Sequence, residues 1–248
     1  LIGLYDKTFE LVLKKFFTHI VAISSTLIDR IPHHPSVSCL NGGIESHVID
    51  MVAQSKLKPK PSDFRESSLV LGMVSLGRSE KSDLEPVFRA LDSCVELGID
   101  FQLFVTGESE YINEDILSRY PEGTIIYKGW LSINEYSIFL QACDAFILPL
   151  SDIPINRGRW PHKFGDFMSF HKYIIVNTVG DIEDALRFYP LGIACKHEDE
   201  SFLSAIRKVN KLISAHEHYS VDNRLSLDTF TVKTRVDRLH SLYESLLL

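Results

Sequence analysis

From residue 69 onward, short apolar runs and amphipathic stretches take turns along the chain. The apolar runs over 69–76, 101–105, 124–127, 145–148, 173–176 and 192–195 are each too short for a helix, and the first four are closed by Gly77, Gly107, Gly129 and Pro149. They predict strands. Between them, apolar residues recur at helical spacing over 84–97, 114–119, 134–143, 161–170 and 182–188, and again over 202–216 and 232–248. These predict helices. Short buried-type strands alternating with helices are the sequence form of βαβ units. The predicted fold class is therefore α/β, a parallel sheet with helices on both faces, whose ligands would sit at the carboxyl ends of the strands.

The first 60 residues follow a different pattern. Leu4, Phe9, Leu11, Val12, Phe16 and Phe17 recur at roughly helical spacing, and the apolar run over 20–23 predicts a strand. Pro32, Pro35, Asn41, Gly42 and Gly43 punctuate a loop. The polar, proline-bearing run from Ser55 to Ser62 has linker composition. The expected division is an N-terminal piece over 1–54, a linker over 55–67, an α/β domain over 68–226 and a closing helical segment over 227–248. The chain opens on Leu rather than Met, which predicts that residues upstream have been removed.

Composition narrows the class of function. With 45% hydrophobic and 24% charged residues in 248, the chain can build a substantial core. A net charge of −7 argues against a nucleic-acid-binding surface. No apolar stretch approaches the ~18 residues that span a bilayer as a helix. Cys39, Cys94, Cys143 and Cys195 stand far apart, so neither a zinc site nor a disulfide framework is predicted, and reduced thiols fit a cytoplasmic location. His33, His34, His216 and His218 lack acids at ligand spacing; no metal and no cofactor is expected.

Against this acidic background, Arg157, Arg159 and Lys163 form a cationic cluster with no acid between Asn156 and Gly165. Pro161 suits the first position of a helix, and a helix start beside three cations is a ready phosphate site. A solvated basic loop ahead of an ordinary amphipathic helix has the same composition. After the first strand of the α/β unit, Gly77 allows close backbone approach, and Arg78 and Lys81 can reach a diphosphate. Two exposed basic residues on a surface turn give the same pattern. Neither G-x-G-x-x-G nor G-x-x-x-x-G-K-[ST] occurs, so the nicotinamide, flavin and P-loop classes lose weight.

Taken together, Gly77-Arg78 with Lys81, Gly129-Trp130, Leu148-Pro149-Leu150 and the run Lys163-Phe164-Gly165-Asp166-Phe167-Met168-Ser169 resemble the glycosyltransferase group 1 family, as do Ile20 to Ser25 and Cys39 to Glu45. Its members are retaining sugar-nucleotide enzymes of GT-B fold, with two facing Rossmann-like domains. The resemblance implies the C-terminal, donor-binding half plus the end of the N-terminal domain, with the last helix bracing the latter. It makes Arg78 and Lys81 the catalytic diphosphate clamp and Asp166 the acceptor for the ribose hydroxyls. Gly77, Gly129, Trp130, Leu131, Arg157, Gly158, Arg159 and Lys163 complete the donor site. The family pairs two glutamates eight positions apart; here the second position holds Asp166 and the first Gly158, leaving backbone N–H groups at 157–159 to hold sugar or phosphate. The Arg78 to Lys81 spacing is shorter than usual.

The implied function is transfer of a sugar from a UDP- or GDP-sugar to a glycan, lipid or small-molecule acceptor, in the cytoplasm or peripherally at the inner face of the membrane. Polysaccharide biosynthesis is the expected setting. The alternative is a non-catalytic sugar-nucleotide-binding or scaffold module of the same fold. Catalysis requires an acceptor held against the donor, so these 248 residues alone are expected to be inactive. A sugar-nucleotide epimerase would need acid and base groups that the sequence does not display.

Overall fold

The computed structural model describes residues 16–31, 33–55, 62–65, 68–74, 81–108, 111–215 and 230–247. Two short strands, β1 (Ile20–Ala22) and β2 (Val37–Cys39), pair in parallel with Ile20 opposite Val37. The main sheet follows, built from β3 (Leu69–Met73), β4 (Phe101–Val105), β5 (Ile125–Tyr127), β6 (Ala145–Leu148), β7 (Tyr173–Asn177) and β8 (Gly192–Cys195). Every residue of β3, β4, β6 and β7 is buried, which explains their continuous apolar runs: both faces of the sheet are covered.

All neighbouring strands are parallel, in the order β5-β4-β3-β6-β7-β8. The chain therefore winds outward from β3 to β5 and then returns to place β6 on the other side of β3. This is the doubly wound Rossmann order, and its switch point lies between β3 and β6. Because parallel crossovers are right-handed, reversing the direction of travel moves the helices to the opposite face. The helices Lys81–Glu96 and Asp199–Ser214 pack together on one face. The helices Ile133–Ala142 and His162–Ser169 cover the other, where Phe146 of β6 stacks on Phe167 with ring centroids 4.0 Å apart.

The described elements match the expected alternation closely, with three differences. The loop predicted around Pro35 and Asn41 contains β2, whose Val-Ser-Cys run is only half-buried and carries little apolar signal. The helix Ser46–Ser55 and the single turns Ser25–Ile28 and Pro154–Arg157 were not expected. Pro161 stands one position earlier than predicted, at the N-cap of the His162–Ser169 helix with φ −77°. The expected N-terminal helix lies almost wholly outside the described residues, as do Ser75 and Leu76 of the predicted first strand and the end of the helix predicted to reach His216.

Residues 16–55 lean on the α/β domain. Val48 and Met51 of the Ser46–Ser55 helix are buried among the helices Ile133–Ala142 and His162–Ser169. Ile44 donates to the Phe230 carbonyl (2.6 Å) and accepts from the Val232 N–H (2.9 Å), tying this segment to the start of the last helix, Val232–Leu247. Gly42 is required at its position, since a Cβ there would come within 2.4 Å of the Trp160 ring. Trp160 in turn stacks on Phe230 at 5.4 Å. Near the end of the linker, Phe64 lies flat on Phe104 of β4 with centroids 3.9 Å apart.

Candidate donor-binding site

A cavity of about 340 Å³ opens where the strands β3, β4 and β5 end. Two turn glycines stand at its edge. Gly107 and Gly129 both take positive φ (87° and 62°), a conformation strained for any residue with a Cβ. The Gly107 N–H donates to the Gly129 carbonyl at 2.8 Å, and the Tyr127 hydroxyl donates to the Gly107 carbonyl. These bonds clasp the two turns together. Trp130 and Leu131, immediately beyond, form the outer wall, and the Trp130 side chain is 66% exposed. An indole of that size facing solvent beside a cavity is a surface on which a flat ring can stack.

The inner wall is one face of the helix His162–Ser169. Lys163 is half-buried, and its Nζ donates to the Val74 carbonyl at the end of β3 (2.6 Å). Burial, and to a lesser degree nearby Arg159, push its ammonium down to about 8, with Asp166 opposing both. A cation held partly out of water beside a second cation favours an anionic ligand, because the ligand restores what desolvation removed. The helix N-terminus adds its positive end, and no side chain caps it.

Asp166 lies one turn further along and also lines the cavity. Its Oδ2 accepts from the Tyr136 hydroxyl at 2.9 Å across 30 residues of chain. Burial raises the Asp166 carboxyl above its ordinary value and Glu45 adds to this, while the Tyr136 bond, His47 and His162 pull the other way. The Tyr136 hydroxyl is driven well above its usual range by burial and by Asp166, so it remains a donor. Tyr136 sits on the helix Ile133–Ala142, which starts with a reciprocal capping box between Ser132 and Glu135.

The structure separates the cationic cluster that the sequence runs together. Lys163 faces the cavity. Arg157 is exposed and forks onto Asp152, with Nε to Oδ1 at 2.5 Å and Nη2 to Oδ2 at 2.6 Å. Arg159 is exposed. The expectation of available backbone N–H groups at 157–159 requires correction at two of the three. The short turn Pro154–Arg157 consumes them: Arg157 N–H donates to Ile153 O and Gly158 N–H to Pro154 O, each at 3.0 Å. Gly158 O accepts from Ser24 Oγ at 3.0 Å.

Ser24 belongs to a polar seam between the N-terminal segment and the sheet. Asp181, buried after β7, accepts from the Ser25 N–H (3.0 Å), the Ser25 hydroxyl and Asn41 Nδ2 (2.6 Å). A second set of bonds fixes the turn after β6. Ser151 N–H donates to buried Asp83 (2.8 Å), Asn156 Nδ2 donates to Ser151 O (2.9 Å), and Leu150 N–H donates to Asn177 Oδ1 (2.8 Å).

Trp130, Leu131, Lys163 and Asp166 thus come together around one cavity, with Gly129 clasped at its edge. Gly77 and Arg78 lie outside the described residues. Lys81 opens the helix Lys81–Glu96, and its side chain is outside the description. Sequence reading missed Tyr136, Ile133 and Thr106, which also line the cavity.

No protein-family model and no curated protein matches the sequence. Likeness in structure is extensive. A glycosyltransferase from Rickettsia africae superimposes with TM-score 0.72 over 95% of this chain and 67% of its own, at 13% identity. The fold is that of the GT-B glycosyltransferases. Anabaena HepE, solved with UDP-glucose, superimposes at TM-score 0.64 over 92% of this chain and 64% of its own, with 14% identity. The pneumococcal O-GlcNAc transferase GtfA, solved with UDP and GlcNAc, gives 0.60 over 93% and 45%, with 15% identity. The six-stranded sheet corresponds to the C-terminal domain of the GT-B fold. The cavity thus lies at the strand ends of that GT-B domain, and the chain spans about two thirds or less of the length of these structures.

Proposed function

We propose that this chain supplies the donor-binding half of a retaining glycosyltransferase that uses a UDP- or GDP-sugar. The observation that carries the reading is the cavity itself, with a partly desolvated lysine and a carboxylate beneath an exposed indole. Lys163, with Arg159 nearby, meets the diphosphate, Asp166 accepts from the ribose, and Trp130 and Leu131 flank the base. Arg78 and Lys81 complete the clamp, as the family resemblance implies. The leaving group is a nucleoside diphosphate, so the chemical task is to stabilise negative charge as the bond from sugar to phosphate breaks, and fixed cations do this without reorganising. The acceptor is a glycan, lipid or small molecule. The whole protein works in the cytoplasm, where a lipid acceptor would be met peripherally; among the described residues no helix is long and apolar enough to cross a membrane.

One observation favours the second reading, a binding or scaffold module that does not catalyse transfer. Gly158 stands where the family has its first acid, and both its N–H and its carbonyl are engaged within the protein. Calorimetry with UDP, GDP, UMP and GMP tests the shared premise. The diphosphates are expected to bind more tightly than the monophosphates, and Asp166→Asn to weaken them by about 1–3 kcal/mol while thermal stability holds. Equal affinity for mono- and diphosphates would remove the clamp. Hydrolysis or transfer from a labelled sugar nucleotide, assayed alongside binding, separates the enzyme from the module.

A further inference from the structure

A carboxylate reads both hydroxyls of a ribose alike when each of its two oxygens is equally open to them. Asp166 enters the cavity with Oδ2 already accepting from the Tyr136 hydroxyl. That bond is not incidental to the cavity, because Tyr136 lines the same wall. A phenol that donates its proton to a carboxylate keeps lone pairs on its oxygen and can accept from another hydroxyl. The pair Tyr136 and Asp166 therefore presents two different acceptors side by side, one ionised and one neutral.

Resting on the donor reading above, we infer that Tyr136 is a positioning and specificity residue: by engaging Oδ2 it makes Oδ1 the more open oxygen of Asp166, and it takes the second ribose hydroxyl on its own oxygen. One hydroxyl then makes a charge-assisted bond to Asp166 Oδ1. The other makes a neutral bond to Tyr136 Oη. Hydrogen bonds to charged groups are the stronger kind, so the two hydroxyls of the ribose are read unequally. A carboxylate working alone would read them alike.

The test is calorimetric titration of the wild-type chain with UDP, 2′-deoxy-UDP and 3′-deoxy-UDP, and with the matching guanosine series. The deoxy analogues are expected to lose affinity by amounts differing about tenfold, the spacing between a charge-assisted and a neutral bond. In Tyr136→Phe, Oδ2 is released to accept the second hydroxyl, and the two losses should converge. Melting curves of the variant separate packing damage from recognition, since a merely structural Tyr136 would shift all three nucleotides in parallel. Equal losses in the wild type, or a variant profile parallel to it, overturns the inference and leaves the donor reading standing. Failure of the wild type to bind UDP or GDP at all removes the donor reading and this inference with it.

Discussion

Arg157 and Lys163 stand six residues apart in one cationic run, yet the fold gives them opposite surroundings. Arg157 ends a single helical turn on the surface and closes a bidentate pair with Asp152. Lys163 lies in the first turn of the next helix, lines the cavity and bonds to a strand-end carbonyl. An exposed, screened pair contributes little, whereas a cation moved partly out of water interacts strongly with whatever anion reaches it. Charge was visible in the sequence; burial decides what the charge can do.

The largest expected effect comes from removing the buried member. Lys163→Met keeps the length and apolar bulk of the side chain and deletes its charge. UDP affinity is expected to fall by about 1.5–3 kcal/mol, the range for bonds to a charged group, roughly ten- to a hundredfold. Calorimetry on the variant checks this. An unchanged dissociation constant would mean that the cations outside the cavity hold the diphosphate, erasing the distinction between the two sites.

A smaller effect sharpens the same contrast through pH. The Lys163 ammonium is depressed from 10.5 to about 8 by burial and by Arg159. Below about pH 8 it carries its charge and the folded chain bears the full burial penalty. Between about 8 and 10.5 the folded form binds fewer protons than the unfolded form, so this group's contribution to stability rises with pH in that window. Affinity for an anion runs the other way. UDP binding should weaken as pH rises through about 8, by up to about tenfold per unit. On the acid side, the raised Asp166 carboxyl loses its charge at a higher pH than an ordinary carboxyl, so binding should also weaken there sooner. Titrations from pH 5 to 9.5 on the wild type and on Lys163→Met separate the limbs, and only the alkaline one should vanish in the variant.

How much of this could be read beforehand follows from the same distinction between local and tertiary signals. The strands β3, β4, β6 and β7 were legible because burial on both faces demands unbroken apolar runs. β2 was not, since a half-buried Val-Ser-Cys has no such run. The Pro154–Arg157 turn escaped because its Ile155 is 67% exposed and imposes no helical period. Lys163 and Asp166, which line the cavity, stand out in the sequence through the motif they share. Tyr136 falls at helical spacing with Ile133, Phe139 and Leu140 and reads as an ordinary core aromatic; only the contact across 30 residues shows its hydroxyl reaching Asp166. Likewise, no local feature tells that Gly158 N–H is consumed by Pro154 O.

The smallest expected effect is the most direct challenge to the contrast. Arg157→Ala removes a full charge from the run that first pointed to an anion. Its guanidinium is already held by Asp152, and both side chains are more than half exposed. Exposed pairs of this kind contribute little and surface substitutions are usually near neutral. UDP affinity should therefore stay within about twofold of the wild type. Asp152→Ala provides the second arm, because it frees Arg157 to point elsewhere. If Arg157 stands apart from the donor, both variants bind like the wild type. If Arg157→Ala weakens UDP as much as Lys163→Met does, the surface fork is a resting state that opens onto the diphosphate, and the two cations act together after all.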